Sequence, residues 1–158
     1  MKINIAAFLL ALTAATHTHA QAIMADGTSS GQSRTEVIDM GADHRILNTR
    51  IEYSVFEMSV ETSPMNQLSG PCFGVVEIRG GAAEGNGVCV FSGLEGDMLL
   101  MGWVARRVDP RGRVAGYWTV NNGTGLYLQA AGGGTFLSET NPANGTATNI
   151  FKGAITLR

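Results

Sequence analysis

Residues Asn121 to Phe136 read NNGTGLYLQAAGGGTF, a short apolar segment between two glycine-rich stretches, with an aromatic just past the second. Glycine accepts positive φ without a Cβ penalty, so both stretches carry turn chemistry. The piece between them is too short for a stable helix and is expected to be a strand over 125–131, giving strand, turn, strand. Nothing in it names a reaction.

The same punctuation recurs on both sides. Runs of strand length are expected at 46–61, 72–79, 87–92, 97–107, 113–120, 125–131, 135–139 and 148–157. Between them lie Gly93-Leu94-Glu95-Gly96, Asp109-Pro110-Arg111-Gly112, Asn121-Asn122-Gly123, Gly132 to Gly134 and Asn141 to Gly145, each with the residues of a tight turn. Thr62 to Pro71, with two prolines and a glycine, is expected to be a loop. In the 46–61 run the apolar set sits at Ile51, Tyr53 and Val55 and then shifts by one to Phe56, Met58 and Val60, which means a β-bulge or a strand buried on both faces. With 21 glycines and no long 3.6-residue period, the chain is all-β. Eight strands joined mostly by short links make a sandwich or an up-and-down barrel, and local connections favour the barrel, which exposes no edge.

The beginning of the chain is different in kind. Lys2, the apolar run Ile5 to Ala15 and the small-x-small pattern Ala20-Gln21-Ala22 make 1–22 a signal peptide, with Thr18-His19-Ala20 as the alternative cut. The run is short of the ~20 apolar residues that span a bilayer, so no stable membrane span is expected. Export to a periplasm or the medium follows, leaving one domain of about 136 to 138 residues. Residues 23–44 are expected to be a polar, mobile lead-in with at most a short strand at 36–40, and 45–158 the folded domain. Without Lys2, the 11 basic residues fall to ten against 13 acidic ones. This balance gives no basic footprint for nucleic acid, and Arg106, Arg107, Arg111 and Arg113 are expected to belong to a solvated loop.

Cys72 and Cys89 are the only cysteines and, in an oxidising compartment, are expected to pair. If Gly80-Gly81 is a two-residue hairpin turn, Arg79 faces Ala82, Glu77 faces Glu84, and Cys72 falls opposite Cys89. The like charges at Glu77 and Glu84 oppose that register, so a longer loop from Gly80 to Asn86 stays open as the alternative.

In the run 97–107 both faces are apolar: Met98, Leu100, Gly102 and Val104 on one, Leu99, Met101, Trp103 and Ala105 on the other. One face therefore needs a cover, from the lead-in, the 62–71 loop, a second copy of the chain as a homodimer, or a membrane surface. Trp103, Trp118, Tyr127 and Phe136 fall on neighbouring strands and either line a cavity or fill a narrow barrel. Gly102, Ala105, Ala115, Gly116, Ala130 and Ala131 are small residues that, turned inward, would open a pocket.

The order Cys72, Gly87-x-Cys89, Glu95-Gly96-Asp97 opening a strand with Trp103, then Gly123-Thr124-Gly125-Leu126-Tyr127, Gly132-Gly133-Gly134-Thr135-Phe136 and a last Gly153-Ala154-Ile155 strand resembles the allene oxide cyclase and dirigent barrel superfamily. It is similar in particular to small exported bacterial members, over roughly 46–158. The resemblance implies an eight-stranded antiparallel, calycin-like barrel. It also implies, from the plant members, a cavity that guides cyclisation or coupling of apolar substrates.

Catalytic constellations are sparse. Gly27-Thr28-Ser29-Ser30-Gly31 spells a nucleophile elbow, but no apolar strand precedes it and no helix follows. Outside the signal, His44 is the only histidine, and a zinc site needs more ligands than it and a bonded cysteine pair supply. No cofactor is implied. Asn122 and Asn144 begin sequons that are also turn dipeptides. The leading expectation is a small apolar molecule bound in the barrel, or an envelope interaction module, without catalysis. The alternatives are an isomerase or cyclase-like enzyme and a dimerising structural module. The candidate cavity lining is Trp103, Trp118, Tyr127 and Phe136, with Glu77 or Asp97 as polar handle. Glu77 enters the interior only if Phe73 and Val75 do; otherwise it faces solvent.

Overall fold

The structure is a computed structural model and describes residues 21–141 and 143–157. All but the last two positions of the expected signal peptide lie outside the described residues. Ten strands form: β1 (Ala22–Met24), β2 (Gly27–Ser33), β3 (Glu36–Gly41), β4 (His44–Met58), β5 (Gly70–Arg79), β6 (Ala82–Ser92), β7 (Met98–Val108), β8 (Val114–Gly123), β9 (Ala131–Asn141) and β10 (Thr146–Thr156). They pair in the order β1-β10-β2-β4-β5-β6-β7-β8-β9, and β9 also pairs with β10, which closes an antiparallel barrel of eight strands.

The expected number of barrel strands is right, but one of its members is not the one expected. Residues 23–44 are not a lead-in beside the barrel. β1 and β2 pair with β10, β2 and β3 pair with β4, and the three behave as one interrupted strand that seals the cylinder. Their polar sequence hides this, because main-chain hydrogen bonds to two neighbours hold β2 while only Ser29 of its side chains is fully buried. Conversely, 125–131 is not a strand. Gly125–Tyr127 is a single 3-10 turn, and Gly132 to Gly134, expected to be a turn, lie inside β9 with Gly134 opposite Gly153.

The glycines of β9 serve close packing rather than chain reversal. Across the sheet Gly74, Gly87, Trp103, Trp118, Gly134 and Gly153 are successive register partners, so two indoles sit side by side with two glycines on each flank. A Cβ on Gly74 or Gly87 would overlap the Trp103 ring, and one on Gly153 would come within 2.9 Å of Trp118 Cζ2. Side chains wider than hydrogen at these positions would displace the indoles from the space they occupy.

The hairpin register follows the two-residue turn. Gly80 and Gly81 take φ of 56° and 83°, the primed-turn signature, and Cys72 stands opposite Cys89 with the two joined as a disulfide. Glu77 does face Glu84, and its charge is met by Arg79 Nη2 at 2.8 Å and His44 Nε2 at 2.9 Å. His44 thus opens β4. In β4 the frame shift is a β-bulge: Gly31 faces Tyr53 but Ser30 faces Val55, leaving Ser54 unpaired.

One end of the barrel is filled. The 62–71 segment folds a 3-10 turn, Pro64–Gln67, capped by Ser63, and drives Met65 and Leu68 to near-zero exposure beneath Phe91 and Leu99. Asn66 anchors it, accepting from Met58 N at 2.7 Å and donating to Glu61 O at 2.8 Å. Tyr127 donates to Pro64 O at 3.0 Å, tying the two 3-10 turns together across that end.

Gly87→Ala should lower stability to urea by about 1–3 kcal/mol, because the new Cβ meets both the Phe73 carbonyl and the Trp103 ring. Gly93→Ala, where a Cβ meets nothing closer than 3.7 Å, should stay within about 0.5 kcal/mol of the parent. Equal effects of the two substitutions would remove the glycine cradle as the reason for these residues.

Candidate functional site

The opposite end stays open, framed by the β3–β4, β5–β6, β7–β8 and β9–β10 turns. From it a cavity of about 430 Å³ descends into the barrel. That volume lies in the range of small-molecule sites, which run from about 300 to 1,000 Å³.

Alternation along each strand decides what lines it. Arg45, Leu47, Thr49, Ile51 and Tyr53 of β4, Val76 and Ile78 of β5, Trp103 of β7, Val114 and Trp118 of β8, and Phe136, Ser138 and Thr140 of β9 all face it. The cavity is two-sided. Val76, Ile78, Met101, Trp103 and Val114 form an apolar wall, widened by the small buried residues Ala83, Ala105 and Ala115 nearby. Across from it runs a wall of hydroxyls, in which Thr35 Oγ1 lies 2.7 Å from Ser33 Oγ and 2.9 Å from Thr49 Oγ1.

Aromatic rings and one polar cluster make the floor. Phe56 packs edge-on against Phe91 at 5.0 Å, Trp118 against Phe151 at 6.2 Å and Trp103 against Phe136 at 6.2 Å. Such pairs fix ring orientation beyond area burial alone. Among them the Tyr53 hydroxyl accepts from Asn149 Nδ2 at 2.6 Å. Burial holds the Tyr53 phenol well above its ordinary range, against the opposing pull of hydrogen bonds to Ser138 and Asn149, so it is a neutral donor and acceptor at physiological pH. Ser29, Asn149 and Ser138 are register partners across β2, β10 and β9. Asn149 Oδ1, Trp118 Nε1 and Ser29 Oγ are buried and find no hydrogen-bond partner among the described residues. Such groups carry a free-energy cost that an incoming polar group can relieve.

The structure brings Trp103, Trp118 and Phe136 together at the cavity and removes the other three expected residues from it. Tyr127 fills the closed end, and burial, with the nearby Asp97 charge, raises its phenol. Asp97 is a turn residue whose Oδ2 accepts from Leu126 N at 2.8 Å. Glu77 follows Phe73 and Val75 to the outer surface, because Cys72, Gly74, Val76 and Ile78 take the inner face of β5. The GxSxG string opens strand β2, with no turn at Ser29. The sequence reading missed Tyr53, Asn149 and Ser138. Their signal is a lone polar residue on the inward parity of an apolar strand, which is legible only once the parity is known. Among the described residues no three His, Cys, Asp or Glu side chains gather as metal ligands, and no helix is long and apolar enough to cross a membrane.

The outer face of β7 is not covered by the lead-in, which is part of the barrel, or by the 62–71 loop, which plugs its end. Among the described residues Val88 on β6 and Tyr117 on β8, beside β7, stay 41% and 57% exposed, and Val75 on β5 stays 49% exposed.

Against known proteins, the architecture finds a counterpart where the sequence does not. No protein-family model matches the chain, and no curated protein matches it in sequence. Among solved structures it is similar to the pterocarpan synthase dirigent protein GePTS1, with a TM-score of 0.50 and 10% identity, covering 95% of this chain and 100% of that one. The chain therefore has the barrel fold of that dirigent protein.

Ionisation of Tyr53 has a calculable consequence. Above pH 10.0, the ordinary phenol value, the unfolded chain releases a proton that the folded barrel keeps, so stability falls as pH rises, at about 1.4 kcal/mol per pH unit for this group. Tyr127 acts in the same direction. Tyr53→Phe should cost about 1 kcal/mol at neutral pH from the lost hydrogen bond, and should make the fall in urea stability above pH 10 shallower. An unchanged alkaline slope would show that Tyr53 does not carry it.

Proposed function

We propose that this protein is exported and binds a small, largely apolar molecule inside the barrel without transforming it. The observation that supports this best is a cavity of about 430 Å³ with an aromatic floor in which Trp118 Nε1 and Asn149 Oδ1 are buried and unpaired. Apolar walls supply the driving force and a few placed polar atoms supply orientation, which is the usual division in small-molecule sites. Among the described lining residues there is no carboxylate and no imidazole. Proton transfer by a side chain matched to neutral pH therefore has no candidate here, which favours holding or orienting a ligand over general acid–base chemistry. The Cys72–Cys89 disulfide, set in the cavity wall, suits an oxidising compartment. Removal of the signal after Ala20 would keep all of β1, whose Ala22 pairs with Thr156.

The purified protein should raise the emission of the neutral dye N-phenyl-1-naphthylamine at a stoichiometry near one per chain. Val114→Trp, which fills the cavity from β8, should abolish that rise while preserving the β-sheet circular dichroism. Undiminished dye binding by a folded Val114→Trp protein would place the dye elsewhere and defeat the proposal.

A second reading rests on the outer apolar face: self-association through β5 to β8. Exposed apolar residues clustered on one sheet face mark interaction surfaces. If a homo-oligomer forms there, Tyr117→Glu should shift sedimentation equilibrium toward monomer at micromolar concentration, leaving dye binding intact. A parent protein that is monomeric at these concentrations would eliminate this reading.

A further inference from the structure

Asn-Gly occurs three times in the chain, at Asn86-Gly87, Asn122-Gly123 and Asn144-Gly145. The dipeptide has a chemistry of its own. Glycine leaves its amide nitrogen unshielded, and that nitrogen, once deprotonated, attacks the side-chain carbonyl carbon of the asparagine before it. As sequence the three pairs are equal. Folding separates them by what it does with each glycine amide.

Two of these amides are committed to the backbone. Gly145 N donates to Asn141 O at 2.8 Å, while Asn144 Oδ1 is held by Thr146 N at 3.0 Å and Thr146 Oγ1 at 2.7 Å. Gly87 lies inside β6. Hydrogen-bonding direction alternates along a strand, and the two-residue turn at Gly80-Gly81 makes Arg79 and Ala82 a bonded pair. Asn86 therefore points its main chain at β5, and Gly87 points its own at Trp103 of β7.

Gly123 is placed differently. Thr124 N donates to Met98 O at 2.8 Å, so by the same alternation Asn122 faces Leu100 of β7 and Gly123 faces the other side. On that side β9 is no longer alongside, because its pairing with β8 ends at Thr119 and Gly133. The Gly123 amide turns instead to its neighbour and donates to Asn122 Oδ1 at 2.8 Å. This sets the nitrogen beside Cγ, the carbon that carries that oxygen, with the N–H axis aimed at the group to be attacked. Asn122 is exposed, so water and base reach it. Nor is the glycine free to change, since a Cβ at 123 would overlap the Tyr127 carbonyl.

We propose that Asn122 is a built-in site of spontaneous deamidation, the one Asn-Gly pair of the three that native packing leaves reactive. Deprotonated Gly123 N bonds to Asn122 Cγ, the Cγ–Nδ2 bond breaks, and ammonia leaves with the proton returned by solvent. Water then opens the resulting succinimide at either carbonyl, giving aspartate or isoaspartate at 122. The net exchange is one water taken up for one ammonia released. Either product adds a negative charge. Isoaspartate also runs the chain through Cβ, inserting one carbon just before Thr124, whose N and Oγ1 clasp Met98 O and N at 2.8 and 2.9 Å. The closed end, where Tyr127 is tied to Pro64 O, is thus the part of the barrel that ageing loosens.

The test follows the three Asn-Gly peptides by mass spectrometry while the protein is held at mildly alkaline pH, either folded or reduced and unfolded in guanidinium chloride. In the folded protein the Asn122 peptide should convert from amide to acid about tenfold faster than the Asn86 and Asn144 peptides, the gain expected of a nitrogen held near its target. In denaturant that lead should vanish. Equal conversion at the three sites in the folded protein would overturn the proposal. So would a lead that persists in denaturant, which would assign it to local sequence rather than packing. Aged parent protein should also accept methyl groups from S-adenosylmethionine through an isoaspartyl methyltransferase, and aged Asn122→Gln protein should accept about tenfold fewer. Equal acceptance by the two would remove Asn122 as the source.

Discussion

The barrel depends on a strand that hardly looks like one. β2, GTSSGQS, is hydrogen-bonded to β10 on one side and β4 on the other, and without it both strands would present free edges. An open sheet with two such edges would leave rows of unpaired amides and carbonyls and a core open along one flank. Closure is therefore a main-chain achievement, made by a segment whose side chains are mostly small and polar. It also fixes the interior, because only in a closed cylinder do the inward residues of all strands converge on one space.

Within that cylinder the distribution of bulk decides where the space remains. At one end Met65, Leu68, Phe91, Leu99 and Tyr127 pack solidly, sealed by the two 3-10 turns. Midway, Trp103 and Trp118 lie against glycines on neighbouring strands, which lets two indoles share one level of a narrow barrel. Above them Val76, Ala83, Ala105, Val114 and Ala115 are too small to meet across the axis, and the cavity follows. A site of this kind is shaped by subtraction: large side chains define the floor, and small ones leave the room. Its polar side chains, Tyr53, Asn149 and Ser138, cluster at that floor among the rings.

Much of the fold was legible in advance because turn chemistry is local. Gly80-Gly81 pointed to the β5–β6 register that sets Cys72 against Cys89, with a longer loop as the alternative, and the frame shift after Val55 fitted either the bulge found in β4 or a strand buried on both faces. The errors came where glycine has two uses. In Gly132 to Gly134 the residues make room for the main chains of β8 and β10, yet in sequence they read as a reversal. Trp103, Trp118 and Phe136 stood out as bulky residues on strands, whereas Tyr53 did not and Tyr127 went to the closed end. Glu77 and Asp97 were misassigned because a carboxylate beside aromatics says nothing about which face it takes.

The sequence by itself determined an all-β chain, most of its hairpins, its disulfide and the alternation of its strands, since each follows from backbone preferences acting over a few residues. Tertiary structure alone decided which parity faces inward, which end of the barrel is stoppered, and that the polar N-terminal segment completes the circuit. Those outcomes rest on contacts between residues more than a hundred positions apart, such as Asp26 with Gly153, where closure of the cylinder rather than local propensity selects the partner.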